Sequence, residues 1–527
     1  MSVFNKIKIQ LMPLLLSVYI LFSTAGCGGG AGAEDIVKGN DDDINLAVDV
    51  ISDGSISWGF SSAVQSGKFA NGDSWVVGPV TITVITPSYN GKNHGFEVNP
   101  VSTVSQGFDE RFSLFDPSLV PSLPYLAQPG ESIVKSISID PSNAHCRPCI
   151  QRVAVLTVLS EPPANNGATI FRPPYFGTEK PLYSTDDLNF SLLPGYVATA
   201  SALTFDQVAS QYQYVQLDHK IGWGARYMHP VESMPDYGAD IALKNTRAGM
   251  TLMLQGTDAE KKQAVINYIN NGIDIYHMMK GGVSWPSNGG HAAGRKLPAI
   301  MAAVLLENNT MKNDLTNISS ATFGETGGVY HSSKADNGNG KVLWGQTTST
   351  ERRYWESFVL DNGSRTDRDP YQEIDGGRLI DYQICCTTIV WENIVTALEL
   401  MPSLKPVFNF PNLKTYTDRW MASGFHTQPD SCAPPTGLCA GGSNAGASCT
   451  TANASTQCTG VGASCDLASS FNTDYGVTYG SDGNGDCIKD LDSSDGIGRF
   501  PQLHGTSAGT GYYGSAFAAE MKAAYVP

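Results

Sequence analysis

The stretch Ser74-Trp-Val-Val-Gly-Pro-Val-Thr-Ile-Thr-Val-Ile-Thr86 decides the fold of the first part of the chain. It is rich in β-branched residues, which pack well on a pleated surface, and a Gly-Pro pair interrupts it as a turn would. The segment Gln151–Leu159 has the same composition, and Pro, Gly, Asn and Asp recur at short intervals around both stretches. This pattern predicts a β-sandwich-like domain over residues 45–203.

After Thr204 the apolar residues follow a helical spacing. They recur every three or four positions in several segments, and Thr257 with Glu260 fits a capping box that starts a helix. The pattern predicts a helical domain over 204–430, closed by a C-terminal helix within 496–527. Its helical hairpins would form either an open α/α toroid or an irregular array. The predicted fold class is therefore α+β and multidomain.

A third type of sequence separates these helices. Residues 431–495 are rich in Gly, Ser, Ala, Asn and Thr, with too few large apolar residues for a core of their own. The segment predicts a disulfide-rich insertion, and its cysteines are Cys432, Cys439, Cys449, Cys458, Cys465 and Cys487.

Oxygen-bearing side chains alternate near the end of this insertion. Asp482, Asn484 and Asp486 have the spacing of a Ca²⁺ loop, and Asp490 follows. Cys487 stands where an EF-hand has Gly, so a solvated acidic turn is the alternative. We predict no required cofactor, with structural Ca²⁺ as the one metal that the sequence offers.

The N-terminus has the pattern of an export signal. Lys6 and Lys8 precede the apolar run Ile9–Phe22, and small residues then lead to Cys27. The run is shorter than the roughly 20 residues that a membrane span needs. It predicts a signal peptide over 1–26.

The residues before Cys27 resemble the lipobox of bacterial lipoproteins, with Thr24 where that family has Leu. Lipidation at Cys27 would make this an outer-membrane or cell-surface lipoprotein, with 27–44 as a flexible spacer. Ordinary cleavage would instead release a secreted protein. In both cases the membrane is reached only through a lipid anchor.

Charge and cysteine content agree with an exported protein. The formal charge is −16, which excludes a nucleic-acid partner because there is no net basic surface to replace the counterions of phosphate. Eleven cysteines less Cys27 leave an even number, as expected for disulfides in an oxidising compartment. Cys146-Arg147-Pro148-Cys149 has redox-motif spacing without a βαβ setting, which favours a structural disulfide.

The first group of candidate functional residues comprises Trp285, Asn288, His291 and Arg295. Pro298 predicts the first turn of a helix just after them, so His291 and Arg295 would lie near a helix N-terminus that favours an anion. A histidine beside an arginine can act as a base next to an anchored carboxylate. The alternatives are that His291 only caps or hydrogen-bonds within the loop and that Arg295 pairs with an acid of the chain such as Glu307.

Two further groups combine aromatic, basic and histidine side chains. Such combinations line sugar-binding clefts, where rings stack on apolar sugar faces and polar groups bind the hydroxyls. One opens the helical part, where a polar hinge between domains is the alternative reading. The predicted residues are Arg226, Tyr227 and His229 in that group, and His331, Trp344, Arg353, Tyr354 and Tyr371 in the other.

The stretch His291-Ala-Ala-Gly-Arg-Lys-Leu-Pro298, the aromatic loops and the helical hairpins resemble secreted polysaccharide lyases of the alginate-lyase and heparinase-like α/α-toroid type. The resemblance implies β-elimination on a uronic-acid-containing polysaccharide. The family carries its β-domain after the toroid, whereas here the β-rich part comes first. The roles that the resemblance implies are His291 or His331 as base, Tyr354 or Tyr227 as acid, and Arg295 with Asn288 as groups that neutralise the carboxylate.

Two other functions fit the same residues. A glycoside hydrolase would need two carboxylates about 5 Å apart for retention or about 6.5–9.5 Å apart for inversion. The acids available are Asp218, Glu356, Asp369 and Glu392. A non-catalytic surface lipoprotein would use the aromatic residues only to hold glycan.

Overall fold

Two β-sheets form the N-terminal part of the structure. The structure is a computed structural model that describes residues 48–331, 342–344, 386–423, 437–450, 453–466, 478–481, 487–490 and 514–526. The strands of the two sheets are β1 Val48–Asp53, β2 Ile56–Val64, β3 Ser66–Lys68, β4 Ser74–Val77, β5 Val80–Thr86, β6 Phe96–Val98, β7 Tyr125–Ala127, β8 Ser132–Ser138 and β9 Ile150–Leu159.

The first sheet has the order β1-β2-β5-β7, and the second has the order β3-β4-β9-β8-β6. Neighbouring strands are antiparallel except β4 and β9, which run parallel with Ser74 opposite Leu156 and Val77 opposite Leu159. The two stretches that predicted strands from their composition are thus direct neighbours. The β-rich N-terminal part is confirmed.

One hydrophobic core joins the two sheets. Trp58 and Ile82 from the first sheet and Ile133 and Leu156 from the second are fully buried in it. Burying such side chains contributes about 1.5–3 kcal/mol each to folding. The sheets therefore pack face to face.

The other face of the second sheet packs on helices. Val134, Val153 and Val155 belong to a second core, which also contains Ile269 and Ile273 of a long helix. Every residue of β8 is buried, as expected for a strand covered on both sides. In the described part of the chain, the first sheet therefore packs on the second sheet, and the second sheet packs on the helices.

The helical C-terminal part is also confirmed, and the residues from Asn45 to Pro527 form one compact unit. Glycine at 272 lets two helices approach closely, because a Cβ there would collide with the carbonyl of Pro298. The described helices are α1 Phe205–Gln211, α2 Gly238–Leu252, α3 Asp258–Lys280, α4 Lys296–Leu305, α5 Asn309–Asn317, α6 Gly324–Gly327, α7 Thr388–Leu400, α8 Lys405–Phe408, α9 Pro411–Ser423, α10 Ala454–Gln457 and α11 Ala516–Tyr525.

Two helix starts follow the predicted signals. Thr257 accepts from the backbone N–H of Glu260, and the Glu260 side chain accepts from the backbone of Thr257, which completes the capping box of α3. Pro298 is the third residue of α4, where a missing N–H costs no helical hydrogen bond. Within the described ranges, no helix combines the length and the apolar character that crossing a membrane requires.

Disulfides hold the cysteine-rich segment, as predicted. Cys439 pairs with Cys458 and Cys449 pairs with Cys465. Around them lies a small sheet of β12 Gly437–Ala440, β13 Ser448–Cys449 and β14 Ser464–Asp466. Cys146 and Cys149 also form a disulfide.

The predicted Ca²⁺ loop is described only at its end. Asp490 is the last residue of β16 (Cys487–Asp490), which pairs with β15 (Thr478–Ser481). The predicted residues that lie outside the described part of the chain are Cys27, Arg353, Tyr354, Glu356, Asp369, Tyr371, Cys432, Asp482, Asn484 and Asp486.

Candidate functional site

The loop between α3 and α4 carries the first group of predicted residues. Trp285 is only 3% exposed. Its ring stacks on Phe323 with a centroid distance of 5.6 Å, and its Nε1 donates to the carbonyl of Asp218 at 3.2 Å. Trp285 therefore anchors the loop in the core and does not present its ring to a ligand.

Arg295 is engaged by the protein itself. Its guanidinium donates to both carboxylate oxygens of Asp218, at 2.9 and 3.1 Å, and to the carbonyls of Ala293 and His291. The side chain is 2% exposed. In this arrangement Arg295 cannot neutralise a substrate carboxylate, because its charge is already paired with a buried acid.

The N-terminus of α4 is occupied by an acidic side chain of the protein itself. The buried carboxylate of Glu325 accepts from the backbone N–H groups of Gly294 at 3.1 Å and Lys296 at 2.9 Å. These are the donors that a free helix N-terminus would offer to a ligand. The predicted anion site is thus filled from within.

His291 is different, because its ring is half-buried at the surface side of the loop. It makes edge contacts with Trp223 at 5.0 Å and Tyr237 at 4.7 Å between ring centroids. Its Nδ1 is buried and has no hydrogen-bond partner in the described part of the chain. Burial, and then the charge of Arg226, lowers the pKa of His291 below its usual range. The imidazole is therefore neutral at pH 7 and can accept a proton.

Charged groups surround the aromatic partners of His291. Arg226 donates to both oxygens of Asp236, and its guanidinium lies 4.5 Å from the ring centre of Trp223 and 4.9 Å from that of Tyr237. Arg147 also donates to Asp236 at 3.2 Å. We call this group the Trp223 cluster, and it consists of Arg147, Trp223, Arg226, Asp236, Tyr237 and His291.

Trp223 is the exposed member of the cluster, with 52% of its surface accessible. A large ring held over cations and open to solvent is suited to stacking on the apolar face of a sugar. Asn288 lies in the same loop as His291 and is also exposed. Its backbone carbonyl accepts from the backbone N–H of His291 at 3.1 Å. The cluster can thus offer a ring and a neutral imidazole to one ligand, and Asn288 adds an exposed amide in the His291 loop.

The sequence had placed Arg226 and His291 in separate groups, and the structure brings them together. It had not predicted roles for Arg147, Asp236 or Tyr237. An acid beside an aromatic residue at 236 and 237 was the only sequence signal for that pair, and Arg147 was considered only as part of the motif from Cys146 to Cys149.

His229 lies behind the cluster and is 2% exposed. Its Nδ1 is 3.0 Å from the carbonyl of Pro235 and 2.8 Å from that of Asp236. Since carbonyls only accept, Nδ1 carries the proton. Nε2 is then bare, buried and 3.8 Å from Asp218. Burial lowers the pKa of His229 to about 4, so this residue is neutral and closed off from a ligand.

The segment before Trp223 makes polar contacts with the β-rich part. His219 is buried against the ring of Tyr175. Lys220 donates to the carbonyls of Ser102 at 2.6 Å and Ser105, which lie in the β-rich part. Tyr227 is half-buried and stacks on Phe112 at 6.5 Å. These contacts tie the helical part to the sheets.

The second predicted group is described only in part. His331 is exposed, and its Nε2 lies 2.9 Å from Oδ1 of Asn412. Trp344 donates from Nε1 to Thr387 at 3.0 Å. His331 is in β10 (Val329–His331), which pairs with β11 (Val342–Trp344).

The acids considered for a hydrolase are engaged where the structure describes them. Asp218 holds Arg295, and Glu392, 8% exposed, forms an ion pair with Lys522. Glu356 and Asp369 lie outside the described residues.

One group among the described residues has the spacing of metal ligands, namely Cys439, Cys449 and Cys458. All three form disulfides, which leaves them no thiolate for a metal. The group is therefore part of the disulfide framework.

Comparisons of this chain with protein-family models, with curated proteins and with solved structures found no match.

Proposed function

We propose that this protein is an extracellular carbohydrate-active enzyme, a polysaccharide lyase that cleaves a uronic-acid-containing chain by β-elimination at the Trp223 cluster. The observation that carries the proposal is the state of His291. It is a neutral histidine held between two aromatic rings beside an exposed tryptophan. An open α/α toroid for the helical part belongs to the same proposal.

In the proposed reaction, the sugar stacks on Trp223 and His291 removes the proton from C5. The electron pair of that C–H bond forms the C4–C5 double bond, and the bond from C4 to the leaving oxygen breaks. A tyrosine then protonates that oxygen. Of the two tyrosines predicted for this step, Tyr227 is half-buried within the described residues, and Tyr354 lies outside them.

Removal of the C5 proton requires that the neighbouring carboxylate be neutralised. Arg295 is held by Asp218. Asn288, the exposed amide of the His291 loop, therefore takes this role alone. Asn288 can donate to a carboxylate through its side-chain amide.

The proposed location is outside the cytoplasm, either as a lipoprotein anchored through Cys27 or as a secreted protein. The two disulfides of the cysteine-rich segment support this location, because such bonds persist in oxidising compartments. The negative charge supports a partner other than nucleic acid.

The test incubates the mature protein with uronate polymers and with neutral glycans. Ultraviolet absorbance detects unsaturated products, and a reducing-end assay detects any cleavage. Unsaturated product from a uronate polymer is the expected result. Reducing ends without unsaturation would replace the proposal by a glycoside hydrolase.

A non-catalytic glycan-binding protein is the second candidate, and the engaged state of Arg295 favours it. It predicts binding to the same polymers with no product of either kind. Substitution of Trp223 would then weaken binding, while substitution of His291 would change no rate.

A further inference from the structure

A concave site lies next to the segment that leads into the Trp223 cluster. It is a pocket of about 420 Å³ between α2, the end of α1 and the loop 231–235. This volume is within the range of about 300–1,000 Å³ that small-molecule sites occupy. We call it the Arg247 pocket, and its apolar lining consists of Leu203, Val231, Met234, Pro235 and Leu243.

Arg247 supplies the pocket with a positive charge that has no partner among the described residues. Its half-buried guanidinium forms no hydrogen bond or salt bridge with the described residues. Lys244, the other cation that lines the pocket, is hydrogen-bonded to backbone carbonyls. An arginine fork at a half-apolar wall is suited to bidentate binding of a carboxylate.

Gln211 supplies an acceptor. Its side-chain oxygen is buried and has no hydrogen-bond donor in the described structure. Buried acceptors are rarely left without a donor. A ligand hydroxyl would satisfy it.

Lys244 fixes the wall of the pocket and is not left for the ligand. It donates to the carbonyls of Gln211 at 2.9 Å and Ser233, and it lies 4.1 Å from the ring centre of Tyr212. Burial lowers the pKa of Lys244 to about 7. Binding of a ligand carboxylate is therefore left to Arg247.

Asp240 is the acid that could oppose a bound carboxylate. It precedes Arg247 by seven residues on the same helix face, which corresponds to about 10 Å along the axis. Charges at that separation are largely screened at physiological ionic strength. Glu232, the other acid, is already paired with Arg152.

We infer that the Arg247 pocket binds a single sugar acid. Its carboxylate would pair with Arg247, a hydroxyl would donate to Gln211, and its apolar face would lie on Leu243. The loop that forms one wall continues into Asp236 and Tyr237 of the Trp223 cluster, so a polymer end could be held beside the proposed reaction site. The choice of a uronate as ligand rests on the proposed function.

The experiment measures binding of D-galacturonate and D-galactose to the full mature protein by calorimetry. These sugars differ at the carboxylate carbon, so we expect about tenfold weaker binding of galactose. Arg247→Met should weaken galacturonate binding by a similar factor and leave the affinity for galactose unchanged. Lys92→Met, which removes an exposed cation elsewhere, is the matched control.

A third ligand, cyclohexanecarboxylate, separates a sugar acid from a simple apolar carboxylate. Gln211→Leu should weaken binding of galacturonate and leave binding of cyclohexanecarboxylate unchanged. Undetectable binding of galacturonate, equal affinity for galactose, or no effect of either variant would overturn the inference. These assays need no turnover, so absence of lyase activity with intact, Arg247-dependent binding would refute the proposed function and leave the pocket standing.

Discussion

The two sides of the His291 loop differ in how their polar groups are satisfied. On the inner side, Asp218 holds Arg295 in a buried bidentate pair and accepts from Trp285 through its carbonyl. On the outer side, Trp223 is exposed and His291 is half-buried between the rings of Trp223 and Tyr237. Residues that look equally reactive in the sequence thus divide into a supporting set and an available set.

A charged residue in a loop does not indicate a catalytic role until its ion-pair partner is known. Arg295 was predicted as a group for the substrate, but a carboxylate 77 residues earlier in the chain already neutralises it. Four predictions follow the division, from the largest expected effect to the smallest.

Substitution of His291 tests the available side. For the proposed lyase, His291→Ala should lower kcat on a uronate polymer by about 100- to 10,000-fold, the usual effect of losing a general base. Because the pKa of His291 is lowered from its usual 6.5, the acidic limb of the wild-type rate profile should fall below pH 6.5. The melting curve should change little, since the ring is only half-buried. Unchanged turnover would remove His291 from the reaction.

Substitution of Asp218 tests the supporting side. Asp218→Ala leaves Arg295 buried and unpaired, which should lower the free energy of unfolding by about 3–5 kcal/mol. Asp236→Ala is the matched control, because its partners Arg226 and Arg147 are more exposed, and it should cost about 1 kcal/mol. Urea denaturation measures both. Equal losses of unfolding free energy in the two variants would contradict the difference between the inner and outer sides of the loop.

Acid should act on the supporting side through His229. Its folded pKa is about 4, against about 6.5 for an unfolded histidine. The unfolded state therefore binds more protons between these values, and stability falls as pH drops from 6.5 to 4, by about 3 kcal/mol from this residue. His229→Asn keeps a donor near the position of Nδ1 and should flatten this part of the stability profile. Identical pH slopes in the two proteins would contradict the buried neutral state.

Substitution of Trp223 should have the smallest effect. Trp223→Ala removes an exposed ring, so stability should change by less than about 1 kcal/mol. Affinity for glycan should fall about threefold to tenfold, the value of one aromatic contact. Tyr525→Ala, which removes an aromatic ring near the chain end, is a control that should leave glycan affinity unchanged.

The sequence predicted what depends on local order. The strands around Ser74 and Gln151, the cap at Thr257 and the position of Pro298 all follow from neighbours within a few residues. The cysteine-rich segment was predictable from composition.

The site could be predicted only in part, because its partners are distant in sequence. Nothing near Arg295 indicates Asp218, and nothing near Gly294 indicates that Glu325 would occupy the N-terminus of α4. Ion-pair choice depends on which segments meet after folding, and periodicity carries no such information. His291 was predicted as a candidate because a histidine beside glycines is visible locally, whereas the exposure of Trp223 depends on how distant segments fold together.

The second sheet, covered on both faces, limits how the chain can be divided. A fragment ending at residue 203 would retain β8 and β9 but lose the helices that cover Val134, Val153 and Val155. These valines would then form an exposed apolar patch on the surface of the fragment. We expect such a fragment to aggregate, so the β-rich part is not an excisable module that recombination could move to another protein without its helices.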